Sequence, residues 1–391
     1  MKRTYIAVTI AVIVCFIIPS AFSQANDSIP PTHQSHVRIF SKVLQENRML
    51  WISTPVGYND SGEAYPVLYL LDGEVHFKYT DALVEYLVNR GRMPPVIIVG
   101  IVNTDRRRDF TPIHSLVIND KIDSSLATTG GGGKFLEFLQ TELAPYIDHH
   151  YRTHPFRILA GASLGGLFAV YCKITAPSLF QASIIMSPAF YGGNNKILSD
   201  VTPFLQKNQD LKMRMFLALG DEKPDKIDSL LLQLKNAAGP ELKWDFKSYP
   251  DEDHFSMPLK AMYDGLRFIY ANWHVDFDQS TTISDYTSIV THFKKLSTEF
   301  GYDIKPNEDF VNSCGYKQLE LKNFDTALDI FRHNISNYPR SANVYDSMGE
   351  ACLVKGDKEA AIRYYRKAVE LDPYNEERRE TLKKLENNVQ K

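Results

Sequence analysis

Between residues 66 and 249 this chain carries six short β-rich runs, several of them apolar almost without a break. They are 66–71 (PVLYLL), 95–102 (PVIIVGIV), 157–161 (RILAG), 182–187 (ASIIMS), 213–219 (MRMFLAL) and 243–249 (KWDFKSY). Strands read this way when both of their faces are covered, and double coverage belongs to parallel sheets. Amphipathic stretches separate them, at 79–87, 134–147, 229–236 and 260–272. This alternation predicts an α/β fold, a mostly parallel sheet flanked by helices on both sides. Residues 41–55 (SKVLQENRMLWISTP) read as an antiparallel pair ahead of that sheet.

Beyond residue 275 the β-rich runs stop and helical periodicity takes over. Gly349, Ala361, Tyr365 and Pro373 each have a counterpart 34 positions earlier: Gly315, Ala327, Phe331 and Pro339. That is the tetratricopeptide period. Glycine and alanine sit where two helices touch, the aromatic ring packs between them, and proline ends the second helix. The repeats are read at 308–341 and 342–375, with 375–388 as a charged capping helix. Two units are fewer than such stacks usually need. The helix at 284–300 is therefore expected to support them, with a hinge at 276–282.

The start of the chain reads as an export signal. Lys2 and Arg3 precede 15 uncharged residues, 4–18, too few for the roughly 20 that span a bilayer. Pro19 breaks the run, and Ala21 and Ser23 supply small residues for cleavage after Ser23. The competing reading is an uncleaved anchor; Val14 before Cys15 argues against a lipoprotein signal. The expected organisation is a signal at 1–23, a catalytic domain at 24–277 and a helical region at 278–391. The mature protein is expected to be periplasmic or secreted, with no stable membrane span. A net charge of −3 without long runs of one sign excludes the basic face that nucleic acid requires. Cys172, Cys314 and Cys352 form no disulfide framework and read as small buried hydrophobes.

Gly161-Ala162-Ser163-Leu164-Gly165 follows a strand and opens a helix. On so sharp a turn the serine takes strained dihedrals, and neighbours two positions away must be glycine to avoid collision. The turn would hold the Ser163 hydroxyl at the helix N-terminus, where negative charge is favoured. A glycine turn needed for shape alone is the competing reading. A serine nucleophile needs a base, and His254 lies in a polar loop (YPDEDHFSMP) after the last strand. An acid belongs in the loop after residue 219, which offers Asp221, Glu222 and Asp225. Glu222 is preferred, 32 residues before His254, ahead of Asp221 and then Asp225. Two backbone donors should face the oxyanion: the N–H of Leu164, and the N–H of Glu74 in the turn 71–77 (LDGEVHF), which Gly73 allows.

Other features near the strand ends have two readings each. Phe190 and Tyr191 line an acyl or aromatic pocket, or pack the core. Arg107 contacts an anionic substrate, or pairs internally with Asp109. Gly130–Gly133 lacks phosphate-loop spacing and reads as a mobile lip over the cleft. His149, His150 and His154 lack carboxylate or cysteine partners at a recognised metal spacing, so neither metal nor cofactor is expected.

The motifs YPVLYLLDGE, VGIVNTDRRRDFTP, GASLGGLFAV, SPAFY and DEDHFSMP resemble the Putative esterase branch of the α/β-hydrolases. That branch includes enterochelin esterase-like hydrolases, feruloyl esterases, S-formylglutathione hydrolase (esterase D) and mycolyltransferases. The resemblance spans about residues 36–275; the tail is separately similar to tetratricopeptide repeats. It implies an α/β-hydrolase fold and ester hydrolysis, and carries the nucleophile to Ser163 and the base to His254. The expected function is an exported serine hydrolase cleaving a small-molecule or glycan ester through an acyl-enzyme, with the repeats open to a protein partner. The alternatives are an acyltransferase and a non-catalytic binding protein. Because every triad candidate precedes residue 275, truncation after about Asn272 is expected to leave hydrolysis of a small ester largely intact if the domain still folds, which it would not do if the repeats bury apolar surface on it.

Overall fold

The computed structural model describes residues 34–59, 62–118, 121–191, 195–274 and 284–387. The signal at 1–23 and the hinge at 276–282 lie outside the described residues. An antiparallel pair, β1 (Gln34–Ser41) and β2 (Glu46–Ser53), opens the sheet. The pair begins seven residues before the expected 41–55, and Ser41 is where β1 ends. Strand β1 alternates exposed and half-buried positions, so it lacks the continuous apolar run that marks the inner strands.

The inner strands are β3 (Tyr65–Leu70) and β4 (Ile97–Ile101). A small hairpin, β5 (Val117–Ile118) and β6 (Lys121–Ile122), stands apart. Then come β7 (Thr153–Ala162), β8 (Ala182–Met186), β9 (Met213–Leu219) and β10 (Leu242–Ser248). The eight-stranded order is β1-β2-β4-β3-β7-β8-β9-β10, parallel from β4 through β10. All carbonyl ends of the parallel strands therefore lie along one edge, where ligands bind in open α/β sheets.

Helices cover both faces. The chain forms α1 (Gly73–Asn89), α2 (Arg106–Phe110), α3 (Gly132–Phe138), α4 (Ala144–His150), α5 (Leu164–Thr175), α6 (Asn195–Lys207), α7 (Asp225–Ala237) and α8 (Met257–Ile269). Helices α1 and α8 pack on one face, while α5 covers β7 and β8 from the other, backed by α2 and α6. The helix expected at 134–147 is instead α3 and α4 joined by a π-helical turn at Leu139–Leu143. Pro145 accounts for the break, since it lacks an N–H and crowds the preceding turn.

Helix α9 (Tyr286–Phe300) follows, then α10 (Glu308–Glu320), α11 (Phe324–Asn337), α12 (Ala342–Lys355), α13 (Lys358–Leu371) and α14 (Glu376–Asn387). The 34-residue period has a direct packing cause. A Cβ at Gly315 would sit 2.5 Å from the Phe331 ring, and one at Gly349 would sit 2.9 Å from the Tyr365 ring. Ala327 and Ala361 are fully buried beside them. The repeats do not hang from a separate stalk. Ile289, Phe293, Leu296 and Phe300 of α9 join the core made by Leu68, Ile158 and Ile184 of the sheet, and Val311, Cys314 and Ile330 continue it. Phe300 lies edge-on to Phe156 at 5.1 Å and stacks on Tyr270 at 5.2 Å. The three cysteines are buried and unbridged. No helix among the described residues is long and apolar enough to cross a membrane.

Candidate active site

Strand β7 and helix α5 meet at Ser163, whose backbone lies at φ 57° and ψ −117°. An L residue rarely adopts this conformation, and it persists only where its surroundings enforce it. Here three main-chain bonds do so. The Ser163 N–H donates to the Met186 carbonyl at 2.9 Å, and the Ser163 carbonyl accepts from Leu167 and Ala189, each at 3.0 Å. A side chain at Gly161 would stand 2.6 Å from the Gly165 carbonyl, so the turn closes only with glycine there. Leu164 is the first residue of α5, and its N–H has no acceptor within the helix.

The turn after β3 differs from expectation in one respect. The left-handed residue is Asp72, at φ 52°, and not Gly73. Gly73 is needed because a Cβ there would lie 2.6 Å from the Gly100 main chain on β4. Glu74 is the second residue of α1, so its N–H also lacks an acceptor within the helix. Its carboxylate accepts from the Asn103 amide at 2.7 Å and the Asn103 N–H at 3.2 Å. The Asp72 carboxylate accepts from Asn103 at 2.6 Å and from Arg106 Nε and Nη2 at 2.6 and 3.0 Å. Arg106 Nη2 also donates to the Ala162 carbonyl at 3.2 Å. The residue that joins the Glu74 turn to the serine turn is therefore Arg106, which the sequence reading passed over for its neighbour.

Arg107 donates instead to the Ser125 carbonyl at 2.6 Å, on the side of the small hairpin. The expected Arg107–Asp109 pair is replaced: Asp109, fully buried, accepts from Arg48 at 2.6 Å and from Arg108 at 2.8 Å. Helical phase on α2 sends Arg106 to Asp72 and Arg108 to Asp109 and leaves Arg107 exposed. Phe190 is buried, as packing requires, while Tyr191 is half-buried. Burial pushes the Tyr191 phenol up, and Arg107 and Arg106 oppose the shift. The glycine tract read as a lip is tied to the end of α2 by main-chain bonds. Gly130 and Gly132 donate to the Thr111 carbonyl and Gly131 to that of Arg108, at 3.0–3.1 Å.

On the far side of the elbow two loops are sewn together. Asp221 N–H donates to the Glu252 carbonyl at 2.9 Å, and Tyr249 N–H to the Leu219 carbonyl at 2.8 Å. Asp253 shapes the second loop by accepting from the N–H groups of Phe255 and Ser256, both at 2.8 Å. This arrangement brings His254 Nδ1 onto Glu222 Oε1. The other carboxylate oxygen accepts from the Ser187 hydroxyl at 2.8 Å. Asp221 is exposed, and the Asp225 side chain lies outside the described residues. His149 and His150 form the last turn of α4, with His150 stacked on Tyr146 at 4.0 Å; His154 stacks on Tyr302 at 4.0 Å. Among the described residues no three His, Cys, Asp or Glu side chains converge as a metal would require.

Comparison with known proteins agrees with this architecture. Residues 41–234 match the family described as "Putative esterase", and residues 342–375 match a tetratricopeptide repeat. The ferri-bacillibactin esterase BesA of Bacillus subtilis is 28% identical over 52% of this chain and 78% of its own. The siderophore enterobactin esterase of Emericella nidulans is 23% identical over 56% of this chain and 88% of its own. An IroE-like serine hydrolase from Shewanella oneidensis superposes with a TM-score of 0.69 at 29% identity, over 78% of this chain and 99% of its own. An uncharacterised protein from Capnocytophaga ochracea, 16% identical, shares the fold over 90% of this chain and 99% of its own, with a TM-score of 0.63.

Proposed function

We propose that this chain, which matches the Putative esterase family over residues 41–234 and a tetratricopeptide repeat over 342–375, is a serine esterase with Ser163, His254 and Glu222 as its triad. Two observations carry the reading: the Glu222–His254 pair, and a serine held at φ 57° at the head of α5. Glu222 fixes the imidazole with its proton on Nδ1, leaving Nε2 to take the Ser163 proton. Ser163 Oγ attacks the ester carbonyl, and the N–H groups of Leu164 and Glu74 receive the oxyanion. One such donor is typically worth about 2.7–4 kcal/mol in the transition state. His254 then returns the proton to the leaving alkoxide, and water resolves the acyl-enzyme by the same route.

The names of the two relatives supply the substrate class. One is a ferri-bacillibactin esterase and the other a siderophore enterobactin esterase, so we infer that the ester bond cleaved here belongs to an iron-chelating siderophore. The charged start and apolar run at residues 2–18 support export, and the repeat at 342–375 supports a protein partner.

Purified protein assayed on siderophore, feruloyl, acetyl-sugar and short p-nitrophenyl esters tests this. Ser163→Ala is expected to lower turnover by up to ~10⁶, with His254→Ala close behind because the two act as a unit. A fluorophosphonate probe should label the native protein and not Ser163→Ala. Unchanged turnover in that variant, or labelling of a different serine, would return the elbow to an ordinary glycine turn. Faster ester consumption with added alcohol, together with acylated alcohol, would mark an acyltransferase.

A further inference from the structure

Ser187 follows β8 directly and has a positive φ of 41°, although it is not glycine. Its N–H is held by the Ala218 carbonyl of β9 at 2.8 Å, and the residue is buried. If the turn alone mattered, glycine would occupy it without steric penalty. The side chain has a different engagement: its hydroxyl donates to Glu222 Oε2 at 2.8 Å, while Glu222 Oε1 meets His254. The preceding residue, Met186, accepts the N–H of Ser163. Two consecutive residues thus touch the nucleophile's backbone and the acid's side chain.

We propose that Ser187 is a positioning residue for the triad. A carboxylate bonded through one oxygen can turn about its terminal torsion, which is broad. Donors on both oxygens stop that rotation and aim Oε1 at Nδ1. Ser187 is not itself a nucleophile, because its proton goes to a carboxylate that is already committed to His254. The proposal rests on the triad reading above.

The test is steady-state kinetics on a small chromogenic ester with Ser187→Ala, Ser187→Gly, Glu222→Ala and the double variant Ser187→Ala/Glu222→Ala. Losing a hydrogen bond to a charged group corresponds to about a tenfold effect or more. Both single Ser187 variants should lose about that factor in kcat, with KM moving less than about twofold. On the Glu222→Ala background the Ser187 change should add almost nothing, since what it positions is gone. Full activity in Ser187→Gly would make the residue a matter of turn shape and overturn the proposal. An undiminished effect on the Glu222→Ala background would also overturn it. If Glu222→Ala itself leaves kcat unchanged, the triad assignment fails first and this inference with it. If Glu222→Ala is impaired and Ser187→Ala is not, only the inference fails.

Discussion

Arg106 grips Asp72 through two nitrogens, at 2.6 and 3.0 Å, and the second of these reaches on to the carbonyl of Ala162. Asp72 precedes the Glu74 turn and Ala162 precedes Ser163, so one guanidinium spans the two turns that must cooperate. Lysine cannot reproduce this fork, because it offers a point charge where the site uses a planar array. Arg106→Lys is expected to lower kcat roughly ten- to a hundredfold, the scale on which a displaced catalytic group is felt. The melting temperature should move little, because the pair is partly solvated. Kinetics and a thermal melt on the same variant check both halves.

Lys173 lies within α5, 2% exposed, with its ammonium nitrogen on the Phe180 carbonyl. Burial pushes this amine down to about 7, against a smaller opposing influence of Cys172. Above that pH the folded protein holds the amine neutral, while the unfolded chain keeps the proton up to about 10.4. The unfolded state then binds more protons, so this group makes stability rise from about pH 7 to about pH 10 and contributes no slope below 7. Lys173→Met should remove that rise. Thermal midpoints of both proteins at pH 7 and pH 9 are the measurement, and equal slopes would show that the amine stays charged in the fold.

The repeats depend on glycine for contact distance. A methyl at Gly315 meets the Phe331 ring at 2.5 Å, inside any real contact, and Phe331 is fully buried. Overpacking of this kind typically costs about 1–3 kcal/mol. Gly315→Ala should therefore destabilise the protein more than Gly349→Ala, whose partner Tyr365 stands 2.9 Å away and is slightly exposed. Urea denaturation of the two variants ranks them.

Truncation after Asn272 is expected to damage folding, so the condition on which a shortened chain would keep its activity is not met. It removes Phe300 from Phe156 and Tyr270, and Glu299 from Arg214. Losing a single buried phenylalanine side chain typically costs about 3–5 kcal/mol, a large share of a domain's stability. The shortened chain should be insoluble or melt far below the full protein. A soluble truncation with a near-native melt would show that α9 is dispensable to the sheet.

What the sequence determined by itself was local. Gly161, Ser163 and Gly165 specify a sharp strand-to-helix turn through collisions among atoms four residues apart, and such sterics operate in any context. Gly315 with Phe331 and Gly349 with Tyr365 betray their contact because the same packing problem is solved twice, 34 residues apart. The continuous apolar runs of β3, β4 and β8 could sit only in a covered sheet. Tertiary structure decided the rest. Ser187 meets Glu222 across 35 positions and Arg106 meets Ala162 across 56, and no periodicity encodes either distance. Three adjacent arginines look alike in sequence until helical phase turns Arg106 toward Asp72 and Arg108 toward Asp109. An apolar helix face such as that of α9 announces that it will be buried, but not that its partner is the sheet's own core. Hydrophobic burial is non-directional, so the choice of partner falls to the packing of the whole chain.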